Sequence, residues 1–340
     1  MPRLFNMNPN TSLVITSIAG SDHPVLKDYA SRCKEKNIPF IVIGDKPSPA
    51  NFSLDGCSFY NLQQQRELPY KITALLPERH YSRKNIGYLV AIKGNKSEII
   101  LETDDDNYAR TGFWENRNRH ANAHPLNGAG WTNIYAYYTE ARIWPRGFAL
   151  ECLQDELPSL EKFPVTKVDC PIQQGLADEN PDVDAIYRLI LPLPLSFDKK
   201  INVALGKKSW CPFNSQNTTW FKDAFPLLYL PSYCSFRMTD IWRSFIAQRI
   251  SSENGWHLLF HEATVYQERN MHNLMRDFAD EISGYVNNFK IVETLEKLNL
   301  KKGAEHMGNN LLLCYEALVG LSLVDQKEIP LVEAWLDDLK

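Results

Sequence analysis

Two short apolar runs on either side of a helix-sized segment open the 340-residue sequence, and they constrain what the rest can become. Leu13-Val14-Ile15-Thr16-Ser17-Ile18 reads as a buried strand, residues 24–36 read as a helix opened by Pro24, and Pro39-Phe40-Ile41-Val42-Ile43-Gly44 reads as a second strand. That is a βαβ start. A Pro-, Ser- and Asn-rich loop follows at 46–53. Ser82 can then cap a helix through Ile92, closed by Gly94 and Asn95, and residues 98–103 form another strand. The alternation predicts an α/β fold with a mostly parallel, doubly wound sheet, whose ligands sit beyond the carboxyl ends of the strands. Asp45 and Asp104, at two such ends, are therefore the first site candidates.

Residues 108–148 are rich in aromatics, Asn, Arg and His with weak periodicity, and read as an irregular, substrate-facing segment. Thr239 or Asp240 can cap an amphipathic helix that stops at Asn254-Gly255, and a short strand, 256–260, follows. From there to Lys340 the pattern is helical, with a break near 303–309. We expect a catalytic domain over 1–285 and a helical extension, 286–340, packed on it. The apolar stretch 311–324 carries Glu316 and is too short to span a bilayer, and the run 13–18 is too short for a signal-peptide core, so no anchor is expected.

A net charge of -4 removes any bulk electrostatic case for nucleic acid or an anionic membrane surface. The seven cysteines are odd in number and lack Cys-x-x-Cys pairs, which suits reduced thiols and a cytoplasmic protein. No P-loop, dinucleotide, α/β-hydrolase or zincin motif is present.

Glu102-Thr103-Asp104-Asp105-Asp106-Asn107 is the most informative stretch. Three consecutive carboxylates repel one another, and a fold tolerates that when a cation occupies the site or when water solvates all three. At a strand tip, Asp-x-Asp spacing lets one carboxylate reach a ribose or a metal while Asp106 holds a divalent ion bridging a diphosphate. Arg83, Lys84 and Asn85 stand at a helix start, where exposed N–H groups favour an anion; a solvated helix end would look the same. Arg146, between Pro145 and Gly147, could clamp a diphosphate, with Gly147 letting the ligand approach the backbone, or could simply form a turn. The acidic stretch 175–184 either lines the site or is a solvated loop. Asp240 is a helix cap or a general base for an acceptor hydroxyl. His261 or His272 could supply a neutral imidazole to a metal, or be structural.

Taken together, Val42-Ile43-Gly44-Asp45-Lys46, the 83–89 and 102–107 stretches, Trp144-Pro145-Arg146-Gly147, Pro181-Asp182-Val183-Asp184-Ala185 and Asp240-Ile241-Trp242 resemble the STELLO-type glycosyltransferases in order and spacing. The likeness runs over roughly residues 11 to 285. More distantly, the set is similar to the reversibly glycosylated polypeptides, which are UDP-arabinopyranose mutases. The resemblance implies a GT-A-like fold, a nucleotide-sugar donor and manganese or magnesium. It makes Asp104, Asp105 and Asp106 the metal and donor site, Arg146 the mutase family's functional arginine and Asp240 the acceptor-side acid. Asp45, Arg83, Lys84 and Asn85 would meet the nucleotide and its phosphates. The expected activity is metal-dependent glycosyl transfer to a glycan or lipid-linked acceptor in surface polysaccharide assembly, with a mutase or a non-catalytic scaffold as alternatives. Plant members carry a membrane anchor; this sequence opens almost at its first strand, so their compartment is not carried over, and peripheral membrane association stays open.

Overall fold

The computed structural model describes residues 10–268 and 273–340. In its sheet β1 (Thr11–Thr16), β2 (Phe40–Ile43), β3 (Ser58–Tyr60) and β4 (Ile99–Thr103) pair in parallel in the order β3-β2-β1-β4. The sheet thus begins as the sequence predicts at β1, β2 and β4, with an unexpected short strand, β3, on the edge. Side chains alternate across a strand, so Leu13, Ile15, Phe40 and Val42 face one side and pack under α1 (Pro24–Lys36). Val14, Ile41 and Ile43 face the other. The second helix, α2 (Leu62–Glu67), is a short capped turn, and α3 (Lys84–Leu89) lies on the Val14 side. It fits because residue 87 is glycine: a Cβ there would come within 2.6 Å of Val14.

Further strands extend the sheet: β5 (Asn107–Ala109), β6 (His120–Leu126), β8 (Thr166–Asp169), β9 (Ile172–Asp178), β10 (Val203–Leu205), β12 (Asn217–Phe221) and β13 (Leu258–Gln267). Two more, β7 (Gly130–Trp131) and β11 (Ser209–Trp210), form a separate small ribbon. Past β4 the order is β12-β9-β13-β10-β6-β8, and β12 runs antiparallel to both its neighbours. The expected α/β class stands: beyond the first four strands β13 runs parallel to β9 and β10 to β6, while β12, β8 and β5 pair antiparallel. The segment 108–148, expected to be irregular, contributes β6, and the stretch 175–184 starts inside β9 rather than in a loop.

The remaining helices are α4 (Ala185–Ile190), α5 (Thr239–Glu253), α6 (Leu274–Tyr285), α7 (Asn288–Glu296), α8 (Met307–Gly320) and α9 (Glu328–Leu339). α5 was expected to have one apolar face, yet it is buried almost all round, because α7, α8 and residues 222–228 cover what the sheet does not. The helical C-terminal region shares the main core: Trp335 and Tyr315 pack on Tyr229 with ring centroids 6.0 and 5.3 Å away. Glu328 accepts backbone N–H bonds from Ser232 (3.0 Å) and Tyr233 (2.7 Å), and Asp338 accepts those of Lys71 and Ile72. Among the described residues no helix is long and apolar enough to cross a membrane.

One buried ion pair joins β4 to α5. Arg243 donates to both Glu102 oxygens at 3.1 and 2.9 Å, and neither side chain reaches water. Glu102→Ala leaves a buried guanidinium without its counter-charge, and urea unfolding should show a loss of about 3–5 kcal/mol. A loss under about 1 kcal/mol would mean that the pair is wet.

Candidate active site

β1 belongs to a crossover leading one way, to β2 and β3, while β4 lies on its other flank. Between the carboxyl ends of β1 and β4 the sheet therefore opens a crevice, the usual ligand position in such folds. A cavity of about 330 Å³ occupies that place, walled by Thr16 at the end of β1 and by Asp104, Asp105 and Asp106 after β4.

Each carboxylate of the triplet has its own tether. Lys84, fully buried at the start of α3, donates to Asp104 Oδ1 at 2.8 Å and to the Thr103 carbonyl at 3.0 Å. Ser17 donates to Asp105 Oδ2 at 2.5 Å, and Gln267, at the end of β13, donates to Asp106 Oδ2 at 2.9 Å. Burial raises the Asp104 carboxyl against the pull of Lys84. Burial and the adjacent Asp104 charge push Asp106 up to about 7. The triplet thus holds more negative charge than its surroundings neutralise.

The opposite wall is built around Arg146. Its Nε and Nη2 each donate to Asp182 at 2.8 Å, Nη2 also reaches both oxygens of Asp240 at 3.1 and 3.0 Å, and Nη1 donates to the Arg237 carbonyl. The 181–184 turn is further fixed to the 144–146 turn through Trp144 Nε1, which donates to Asp184 at 2.7 Å, and Arg146 N, which donates to Asp182 O at 2.9 Å. Asp240 also accepts from Ser215 N and the Tyr81 hydroxyl. Burial works to raise its carboxyl, but Arg146, with Arg243 and the Ser215 N–H, outweighs burial and holds it at about 2.

The structure brings together Asp104, Asp105, Asp106, Arg146 and Asp240, and corrects other expectations. Arg83 is buried and donates to Gln65 and to the Leu76 and Pro77 carbonyls, so its guanidinium staples a loop and does not line the cavity. Asn85 is spent on the backbone of Leu230 through both its amide groups. Lys84 sets a carboxylate in place of meeting a phosphate. Asp45 accepts from Lys46 N and His80 N, outside the cavity wall. Gly147 has φ +86°, and a Cβ would strike Ile241 at 2.4 Å, so it serves a close approach to α5 and not to a ligand. His261 lines a different cavity, which removes it from the triplet. His272 lies outside the described residues. Asp240, expected as a helix cap or a base, stands in this wall with its carboxyl held low by Arg146.

Sequence reasoning missed Tyr81, Asn214, Ser215, Gln216, Arg188, Phe236, Arg237 and Gln267, all in the cavity wall. The one legible signal was the polar run Asn214-Ser215-Gln216-Asn217 ahead of β12. Among the described residues no three His, Cys, Asp or Glu side chains are arranged as a metal cage. Two carboxylates with hard oxygen donors are nonetheless what a magnesium-like ion takes from a protein when a substrate's phosphates complete its shell.

Residues 237–340 match the family model described as STELLO glycosyltransferases. Over 350 residues the chain is 26% identical to "Probable glycosyltransferase STELLO2" of Arabidopsis thaliana, covering 95% of this chain and 44% of that protein. The chain is STELLO-like in sequence. To "Probable glycosyltransferase STELLO1" of the same plant it is 25% identical, covering 92% of this chain and 42% of that one, so it spans less than half the length of these relatives. The span that matches the family model holds Asp240, Arg243 and Gln267; the triplet and Arg146 fall outside it. Two solved structures align loosely: a mycobacterial protein (TM-score 0.40, 9% identity, 82% of this chain and 74% of that one) and M. tuberculosis glucosyl-3-phosphoglycerate synthase (TM-score 0.38, 8% identity, 82% and 80%).

The raised Asp106 makes a pH prediction for the metal-free protein. An unfolded Asp titrates near about 3.9. Between that value and about 7 the folded chain holds a proton that the unfolded chain releases, so stability falls as pH rises across this window. Asp240 acts in the opposite sense, its contribution being lost only as pH falls through about 2. Buried histidines such as His80 and His261 also act in the opposite sense, so the expected result is a difference: from pH 4.5 to 8 the urea midpoint of the wild type should drop relative to that of Asp106→Asn. An unchanged slope in that variant would remove Asp106 as the cause.

Proposed function

We propose that the chain is a metal-dependent glycosyltransferase that moves a sugar from a nucleoside-diphosphate donor to a glycan or lipid-linked acceptor. The observation that carries this reading is the meeting of the Asp triplet with the Arg146–Asp182–Asp240 cluster in one cavity at the end of β1 and β4. Sequence likeness to two probable glycosyltransferases over nearly the whole chain supports it.

In this reading Asp104 and Asp106 would hold magnesium or manganese, which would supply neutralisation of the charge on a departing diphosphate. Lys84 keeps the Asp104 carboxylate aimed into the cavity, and Gln267 does so for Asp106. Asp105, turned toward β1 by Ser17, meets the ribose. Arg188 brings positive charge to the cavity wall, where the donor's phosphates enter, while Arg237 beside it is paired with Glu281. Arg146 fixes the walls at their separation, and Asp240 positions Arg146 rather than taking the acceptor's proton. The seven cysteines are all free thiols, which supports a reducing compartment.

The test is incubation of the protein with a panel of nucleotide sugars and manganese, with and without chelator, followed by separation of the nucleotides. Metal-dependent release of nucleoside diphosphate from one donor is the expected result, and Asp104→Ala or Asp106→Ala should lower it about a hundredfold or more. Rearranged nucleotide sugar without release would replace the transferase by a mutase. With no turnover and no metal-dependent thermal shift by any nucleotide, the catalytic reading fails.

Asp240→Asn separates positioning from base catalysis. We expect a lower kcat with no movement of the acidic limb of the pH–rate profile, since a group held at about 2 does not titrate there. Loss of that limb in the variant would restore Asp240 as the base.

A further inference from the structure

β9 covers one side of β13 along its length, but the other side is covered only at its ends. β10 pairs with residues 258–260 and β5 with residues 265–267. Residues 261–264 between them border a window in the sheet, a cavity of about 470 Å³ that shares no wall residue with the cavity of the Asp triplet.

The window's chemistry is balanced. Two cations, Arg117 and Lys200, stand with two carboxylates, Glu115 and Glu262, and the Lys200 ammonium lies 2.9 Å from Glu262. The imidazole of His261 is neutral, since burial and then the nearby Arg117 charge push it down to about 3. Arg117 donates to the carbonyls of Gly112 (3.0 Å), Glu115 (3.2 Å) and Phe113 (3.3 Å), which ties the 112–117 loop together at the cavity wall. The amides of Asn122 and Asn202 and a second imidazole, His124, complete a wall with only Val165 and Ile201 as large apolar members.

An anion site would carry surplus cations, a metal site would gather carboxylates, and a lipid site would be apolar; this wall is none of these. Paired donors and acceptors with no net formal charge match a neutral polyhydroxylated ligand, and the volume suits a small one. A second cavity, of about 410 Å³, shares Glu115, Arg117, Asn122, Asn202 and His261 with the first and continues past Asn118 and His120, so the ligand can extend beyond one unit.

We propose that this window and its continuation bind neutral sugar units of a glycan, at a site separate from the triplet cavity. The inference does not need the transferase reading, because binding is measured with neither nucleotide nor metal present. The full chain, labelled with ¹⁵N at histidine, is titrated with maltohexaose, cellohexaose, laminarihexaose and xylohexaose. At least one should move the His261 and His124 signals saturably while that of His80, beside the triplet cavity, stays in place. Lys200 is exposed and Asn122 sits on the sheet surface, so the Asn122→Ala, Lys200→Ala double variant should keep its melting temperature and bind about tenfold more weakly. Silence of both imidazoles across the panel overturns the proposal. So does preference for a charged probe, trigalacturonate or glucose 1-phosphate. Movement of His80 alone would put the sugar in the triplet cavity, which overturns the separate site and leaves the transferase reading intact.

Discussion

The pairing of Glu102 with Arg243 sets the geometry on which the site depends. Residues 100, 102 and 104 follow the two-residue period of a strand, so Glu102 and Asp104 leave β4 on the same side. On α5, Asp240 and Arg243 are three residues apart and share a face. Joining Glu102 to Arg243 therefore brings Asp240 to the side of the sheet that carries Asp104. A buried pair of this kind is costly to desolvate, and here the cost is offset by further partners. Trp220 Nε1 donates to Glu102 at 2.8 Å, the Tyr88 hydroxyl donates to its other oxygen, and the guanidinium lies over the Trp220 ring, 5.0 Å from its centre. A hydrophobic pair of similar volume could hold the two elements together; the forked hydrogen bonds also fix their rotation.

The C-terminal helices reach the same site through a chain of contacts. Glu328 on α9 holds the backbone of 232–233, the Ser232 hydroxyl meets that of Ser82 at 2.8 Å, and Asn85 grips Leu230. These contacts place the first turn of α3, and with it Lys84 against Asp104. The helical region is thus part of what aims the triplet, and a division of the chain at residue 285 would cut through one core.

β1, β2, β4 and α1 were legible because each is a local pattern, an apolar run or a proline at a helix start; β3, three residues with no apolar run, was not. Much of the remaining sheet was not. β9 reads Ile-Gln-Gln-Gly-Leu-Ala-Asp, with glutamines at buried positions that no hydrophobic alternation marks. They are tolerated because distant backbone carbonyls take up their amides, as Asn118 O does for Gln173 at 2.7 Å, and such partners are invisible until the chain is folded. The site divides the same way. The triplet is contiguous, so its clustering can be read directly from the sequence. The Arg146 cluster joins residues 36 and 94 positions apart, and Arg83 and Asn85 were misread because sequence does not say which way a first-turn side chain turns.

The electrostatics of the cavity bear most directly on what it can accept. Five aspartates, 104, 105, 106, 182 and 240, line it, yet Lys84 is committed to the first and Arg146 to the last two. Asp105 and Asp106 are left without a cation, and the Asp106 carboxyl rises because it is buried and because Asp104 is near. A diphosphate brought to this wall on its own would meet like charge in a confined space. The same wall becomes favourable when a divalent cation enters with it, since the ion relieves the carboxylates and the phosphates together. Charge at the strand tip is thus left without a cation of the protein's own, and in the proposed reading a cation-bound anionic donor would use it, while Arg146 is committed to the aspartates that hold the walls apart.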